Sequence, residues 1–302
     1  MRTYRSRGLM LWQLTPVTVF LGIFFVSPLL TMALYSFLEP GLYGGVEWTL
    51  YHWNYGRVLG WADGIIEEFD PVYLFIFWRS FKLALITVIL SLLVCYPVAF
   101  RVSRMSGSQK HLFLFLITLP FFASLIVRLY AWLLILRPSG VLNDVLLALG
   151  LIDLPVDLIY SELAVVVGMV YIMIPFMFLP LYASVEKLDN ALLEASFDLG
   201  ASRLQSFLLI ILPLTLPGIV GGSILVFIPS LGNFIVPEVL GGARVLMIGN
   251  LVEQQFLSAR NWPFGAALAM LIMLAVLLVL VAYTRLVLRD ENSRSQPRAT
   301  QA

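Results

Sequence analysis
Charge is scarce in this chain. Only 12% of its 302 residues are Asp, Glu, Lys or Arg, 60% are apolar, and the mean hydropathy is +0.93. A soluble domain carries about 25% charged residues, so that class is excluded. Cysteine is nearly absent: Cys95 stands alone, and no intrachain disulfide can form. His52 and His111 are the only histidines, so no Cys/His metal constellation exists and no metal is expected. Both sit near the ends of apolar segments and read as interfacial residues. No G-x-x-x-x-G-K-S/T loop occurs, so the chain has no Walker site for ATP and needs no cofactor of its own. It also lacks the paired intramembrane carboxylates or histidine chain of a proton-driven carrier. No long linker, fixed-period repeat or low-complexity block divides it. One domain is expected over residues 1–290, with 291–302 as a disordered tail.

Long apolar runs are what the chain has in abundance. Crossing a hydrocarbon core of ~30 Å takes ~20 helical residues. Six stretches reach that length: Leu11–Tyr35, Phe81–Phe100, His111–Leu136, Leu163–Tyr182, Leu204–Ser230 and Phe264–Leu286. The first follows three arginines but is too long for the ~7–15-residue core of a secretory signal, and reads as a retained helix. The expected class is an all-α membrane protein with six spans and membrane lipid around it. No nucleic-acid partner is expected.

Orientation follows from Arg and Lys, which favour the cytoplasmic side. One set of surfaces carries Arg2, Arg5, Arg7, Arg101, Arg104, Lys110, Lys187, Arg203, Arg285, Arg289, Arg294 and Arg298. The other has only Arg57, Arg79, Lys82, Arg137, Arg244 and Arg260. Both termini are therefore expected in the cytoplasm, together with the segment around Glu194. The outer connections, Ser36–Arg79 and Leu231–Pro263, are acidic or aromatic; Trp48, Tyr51, Trp53, Tyr55 and Trp61 suit a membrane interface or an external partner.

A polar island separates the fourth and fifth spans. Asp189 or Asn190 can cap a short helix over Ala191–Leu199, and Gly200 is suited to end it in the left-handed conformation. Ser202 and Gln205 have the spacing of a capping box that opens the next helix. On the first helix Leu192, Leu193, Ser196 and Leu199 make one face. Glu194 and Asp198 stand four apart on another, a like-charge pair costing roughly 0.2–0.5 kcal/mol unless a basic partner surface meets it. An ordinary solvated loop would explain the acidic residues but not the cap, the corner and the downstream proline together.

Within the spans, Pro213 and Pro217 suit bends or hinges. Gly218 and Gly222 form a G-x-x-x-G pair that permits close helix approach. Arg128 is a charge well inside a span, costing at least ~2.5–3.5 kcal/mol there. It either snorkels toward Arg137 and the outer surface or faces a cavity, a carboxylate or a helix end.

The run Glu194-Ala195-Ser196-Phe197-Asp198-Leu199-Gly200, with Ile210-Ile211-Leu212-Pro213 beyond it, resembles the E-A-A…G…Ile-x-Leu-Pro signature of permease subunits in binding-protein-dependent ABC importers. Ser196 replaces the second alanine. Over roughly Leu119 to Ala267 the chain is similar to the spermidine/putrescine branch of that family. Leu119-Pro120-Phe121-Phe122, Arg128 to Trp132, Tyr171 with Pro175-Phe176-Met177, Pro237 to Gly242, and Trp262 to Ala266 carry the likeness. One departure is Asn233, where relatives often have a carboxylate.

The resemblance implies a type I ABC importer permease fold and a bacterial inner-membrane location. It implies a non-enzymatic subunit paired with a second related permease or a copy of itself. Two ATPases that bind ATP and Mg would lie below, and a periplasmic binding protein above. Glu194, Ala195, Ser196, Asp198 and Gly200 would couple to the ATPases. The implied cargo is putrescine or spermidine; another organic cation, an opine or an ion is the alternative, and an ion-coupled carrier a distant one. For a polyamine, Tyr130, Trp132 and Tyr171 could supply cation–π faces and Glu238 a carboxylate. Their competing reading is helix packing or an interfacial belt.

Overall fold
The computed structural model describes residues 3–61 and 69–295. Asp63, Glu67, Glu68 and the tail from residue 296 onward lie outside the described residues. Six helical stretches in the described residues are long and apolar enough to cross a membrane. The chain groups into two compact units, residues 1–74 with 251–302, and residues 75–250.

In the first unit, helix α1 spans Thr3–Tyr35 and carries Pro16 and Pro28. A hairpin of β1 (Leu38–Pro40) and β2 (Val46–Leu50) follows, antiparallel, with Leu38 opposite Leu50 and an irregularity after Leu38. This small sheet is absent from the all-helical expectation. Such short strands stand where Asn54 donates to the Ser36 and Leu38 carbonyls at 3.0 and 2.9 Å, securing backbone groups no helix could. Helix α2 (Trp53–Val58) comes next. The last helix of the chain also belongs here and packs along α1. It runs Trp262–Ser295, well past the expected Leu286 and into the segment expected as a tail, on helix-favouring Arg, Leu and Glu residues.

The second unit centres on three helices. Helix α3 covers Val72–Ser103 and begins nine residues before the expected span, so Arg79 lies in helix rather than in a loop. Its buried positions, from Ser80, Leu83, Ala84, Thr87 and Val88 to Cys95 and Ala99, recur at three and four residues and form one stripe. The next segment departs from expectation. Instead of one helix over His111–Leu136, the chain forms α4 (Gly107–Thr118), a 3-10 turn over Leu119–Phe122, an extended link through Ala123 and Ser124, and α5 (Leu125–Leu136). Pro120 offers no backbone donor, and disfavours helix at Leu119 just before it. Helix α6 (Val141–Ala148) then folds back on α5. Buried Asn143 holds that return, donating to the Arg137 and Val156 carbonyls and accepting from the Val156 amide.

Helix α7 (Glu162–Glu186) is buried on most of its circumference despite Pro175 and Pro180. Helix α8 covers Asn190–Asp198 and α9 covers Arg203–Ser206. A π-turn over Phe207–Ile211 leads into α10, Leu212–Leu231. Pro213 cannot donate to the Leu209 carbonyl, so the helical ladder is already interrupted where it widens. A second π-turn spans Pro237–Gly241, and α11 (Ile248–Leu257) follows. Ser80 ties α3 to the start of α11: its hydroxyl accepts from the Ile248 amide at 2.7 Å and donates to the Ile76 carbonyl at 2.8 Å. The last helix, Trp262–Ser295, is α12.

Helices α7 and α10 make the tightest contact of this unit. A Cβ built on Gly218 would lie 2.4 Å from the Ser184 hydroxyl, and one on Gly222 would lie 2.9 Å from the Met177 sulfur. Both glycines are therefore buried at a helix crossing. Tyr96 of α3 and Thr215 of α10 share a hydroxyl–hydroxyl bond of 2.9 Å, and Phe81 meets Phe227 edge to face.

Candidate functional site
The corner between α8 and α9 is built almost wholly from local hydrogen bonds. Asp189 caps α8 by accepting from the Ala191 amide at 2.9 Å. At the other end Gly200 takes φ +82°, its amide donates to the Phe197 carbonyl, and the Ala201 amide reaches the Ser196 carbonyl. These two bonds are a Schellman closure, for which glycine is suited. Ser202 and Gln205 then form both bonds of a capping box. Cap, left-handed stop and box all stand where the sequence placed them.

The faces of α8 differ from expectation. Leu193 and Ser196 are buried, but Leu192 is exposed and Leu199 is 89% exposed. Leu199 caps the helix just before the chain swings away at Gly200, so it leaves the inward stripe. The outward surface therefore mixes Leu192, Phe197 and Leu199 with Glu194, Ala195 and Asp198. An apolar knob ringed by two carboxylates suits a partner with a basic-rimmed apolar groove.

Ser196 makes a contact the sequence did not suggest. Its hydroxyl donates to the Leu193 carbonyl at 2.7 Å and lies 2.8 Å from the Ser206 hydroxyl, with both side chains buried. Because the Ser196 proton is committed to Leu193, Ser206 is the donor across the corner. Beside this end of α7, Lys110 pairs with Glu186 and lies over the Tyr182 ring. The Glu186 carboxylate raises the Lys110 pKa above its ordinary value. A cavity of about 310 Å³ opens there among Phe100, Ser103, Arg104 and Glu186. The Lys110–Glu186 clamp has no signature in spacing, since 76 residues separate its partners.

The four candidate path residues fall into two pairs. Tyr130 and Glu238 line one cavity of about 540 Å³, together with Leu133, Tyr160, Val239, Gly242, Ala243 and Arg244. Trp132 and Tyr171 instead stack edge to face, ring centroids 5.7 Å apart, and are not among that cavity's lining residues. Two residues apart on α5, Tyr130 and Trp132 point about 200° from one another. The Arg128 guanidinium lies 6.0 Å over the Tyr171 ring, while its buried Nε has no hydrogen-bond partner. That group of three is a packed aromatic–cation cluster.

Glu238 is exposed, and its Oε2 accepts one bond, from Asn250 at 3.3 Å. Asn250 also donates to the Phe234 carbonyl at 2.8 Å, which steadies the segment bearing Glu238. Asn233 accepts from the Val236 amide at 3.0 Å, capping the same segment. An aspartate could make that bond too. Tyr160 and the Asp157–Arg244 ion pair, 3.9 Å apart, were not found from sequence. At the same end of the unit, Arg79 and Lys82 converge on Glu162 at 3.4 and 2.6 Å.

Residues 98–289 match the family described as binding-protein-dependent transport system inner membrane component. The spermidine/putrescine transport system permease protein PotB of Haemophilus influenzae is 44% identical over 71% of this chain and 76% of its own length. PotB of Escherichia coli is 43% identical over 74% of this chain and 81% of its own length. The inner membrane ABC transporter permease protein YdcU of Escherichia coli is 36% identical over 92% and 90%. Among solved structures, a chain of a bacterial ABC transporter that imports the acidic polysaccharide alginate aligns over 94% of this chain and 96% of its own. The TM-score is 0.66 at 18% identity, a likeness of fold.

Proposed function
The chain belongs to the family of binding-protein-dependent transport system inner membrane components, and on that membership we propose that it forms part of a membrane path importing putrescine or spermidine. It is a permease subunit and not an enzyme. The observation that carries the substrate is the 43–44% identity to permeases named for spermidine and putrescine. The cavity holding Glu238 beside Tyr130 supports it, since a carboxylate and an aromatic face are what an ammonium group needs.

In this reading residues 1–290 act as one permease domain in the bacterial inner membrane. It pairs with a second permease, or a copy of itself, and with two ATPases that bind ATP and Mg. A periplasmic binding protein delivers the substrate. Both termini and the α8–α9 corner face the cytoplasm, consistent with the excess of Arg and Lys on those surfaces. Closure of the ATPases on ATP moves α8 through its exposed knob, and the helices it is fixed to alternate access between the two sides. Glu194, Ala195, Ser196, Asp198 and Gly200 form the coupling element. Tyr130 and Glu238 contact the substrate, with Trp132 and Tyr171 supporting α5 from its other side. Pro213 and Pro217 allow α10 to bend, and Gly218 and Gly222 keep it packed on α7.

An opine or similar zwitterion is the second reading, favoured by Arg244 in the cavity wall. Reconstitution of the complete transporter with its own binding protein separates the two. Uptake of labelled putrescine or spermidine is expected; uptake of a zwitterion or an anion but of neither amine would overturn the polyamine assignment. Orientation is checked after Cys95→Ala. Ser258→Cys should react with an impermeant maleimide in intact cells and Gln109→Cys should not, and the reverse pattern rejects the topology.

A further inference from the structure
Tyr160 precedes α7 in a backbone conformation that a tyrosine rarely takes. Its φ is +57°, in the left-handed region that disfavours residues with a Cβ. Strain of this kind persists only where the surroundings impose it, and it gathers at functional sites. Two contacts impose it here. The Tyr160 amide donates to the Leu240 carbonyl at 2.9 Å. The ring lies so close over Gly242, itself at φ +53°, that a Cβ at Gly242 would come 2.7 Å from Tyr160 Cδ1. The ring is thereby fixed to the segment that carries Glu238. It is not buried by this packing: Tyr160 remains 41% exposed and lines the cavity of about 540 Å³ with Tyr130 and Glu238.

The charges of that cavity favour a cation. Arg244 in its wall is matched by Asp157, 3.9 Å away, which leaves the Glu238 carboxylate as the excess charge. Two aromatic rings beside one carboxylate, in an open recess, match an alkylammonium group better than an anion, for which Arg244 is the group available.

We infer that Tyr160 is a specificity-determining residue, whose ring, locked over Gly242, forms with Tyr130 and Glu238 a subsite for one ammonium end of the transported amine. This inference rests on the polyamine reading and adds to it a residue and a geometry. The left-handed backbone serves this role by holding the ring over Gly242 and toward the cavity.

The test uses the complete transporter in liposomes with its own binding protein, measuring labelled polyamine imported per ATP hydrolysed. Tyr160→Asn removes the ring but tolerates the left-handed backbone; Tyr160→Phe keeps the ring. Tyr160→Asn is expected to lower import per ATP about twofold to fivefold, the range of a cation–π contact at an exposed site. ATP hydrolysis stimulated by loaded binding protein should persist, and Tyr160→Phe should stay close to the parent protein. The inference is overturned if Tyr160→Asn imports normally, if Tyr160→Phe is equally impaired, or if import and ATP hydrolysis fall together. Absence of polyamine import by the parent transporter would instead reject the substrate reading itself.

Discussion

Ser206 donates its hydroxyl proton to Ser196 over 2.8 Å, joining α8 to the helix that follows the Gly200 corner. The bond is buried and is the side-chain link between the two arms of the corner. It adds a polar latch to a corner already defined by backbone turns. A latch of this kind would transmit a push on α8 into α10 with less slack.

The serine latch predicts a non-additive mutant cycle. Ser196→Ala leaves the buried Ser206 hydroxyl without its partner, at a cost of about 1–3 kcal/mol, whereas in Ser206→Ala the Ser196 hydroxyl keeps its bond to the Leu193 carbonyl. Removing both hydroxyls should recover part of that loss. Thermal unfolding of the purified transporter checks it: Ser196→Ala should melt below the double variant. Additive losses would show that the two hydroxyls do not act together.

The acidic knob of α8 predicts an effect on coupling rather than on folding. Glu194 is exposed on the chain itself, so Glu194→Arg should leave the subunit in the membrane at normal abundance. A charge reversal against a basic groove forfeits roughly 2–5 kcal/mol of docking if the contact is buried in the complex. Import should fall more than tenfold while basal ATP hydrolysis by the partner persists. Normal import and normal stimulated hydrolysis in this variant would remove Glu194 from the coupling element.

The glycines of α10 predict a sharp positional contrast. Gly222→Val places its side chain where Met177 already lies, with the sulfur 2.9 Å from the first carbon. Overpacking of this kind costs about 1–3 kcal/mol. Gly221, one residue away, has open space at its Cβ, so Gly221→Ala should be neutral or slightly stabilising. Melting temperatures of the two variants decide the matter, and equal behaviour would contradict the close α7–α10 crossing.

Much of the architecture is written locally. Apolar runs of sufficient length determine the spans, because a helix in lipid must satisfy its own backbone. The α8–α9 corner is just as legible: Asp189, Gly200, Ser202 and Gln205 act within a few residues of themselves, so their spacing carries the whole instruction. Family membership could be read from the same stretch. Boundaries were less legible. The third span breaks at Leu119–Ser124 although its hydropathy runs on without interruption, because hydropathy records what lipid tolerates and not where a proline interrupts the ladder.

Tertiary structure decided what depends on direction and on distant partners. That Tyr130 joins Glu238 while Trp132 turns away to Tyr171 depends on the rotation of α5 against α7 and on the course of the Pro237–Gly241 turn. The left-handed Tyr160, the Ser196–Ser206 latch and the Lys110–Glu186 clamp each join residues through packing that no local pattern encodes. A helical sequence states which residues share a face; only the packed bundle determines what that face meets.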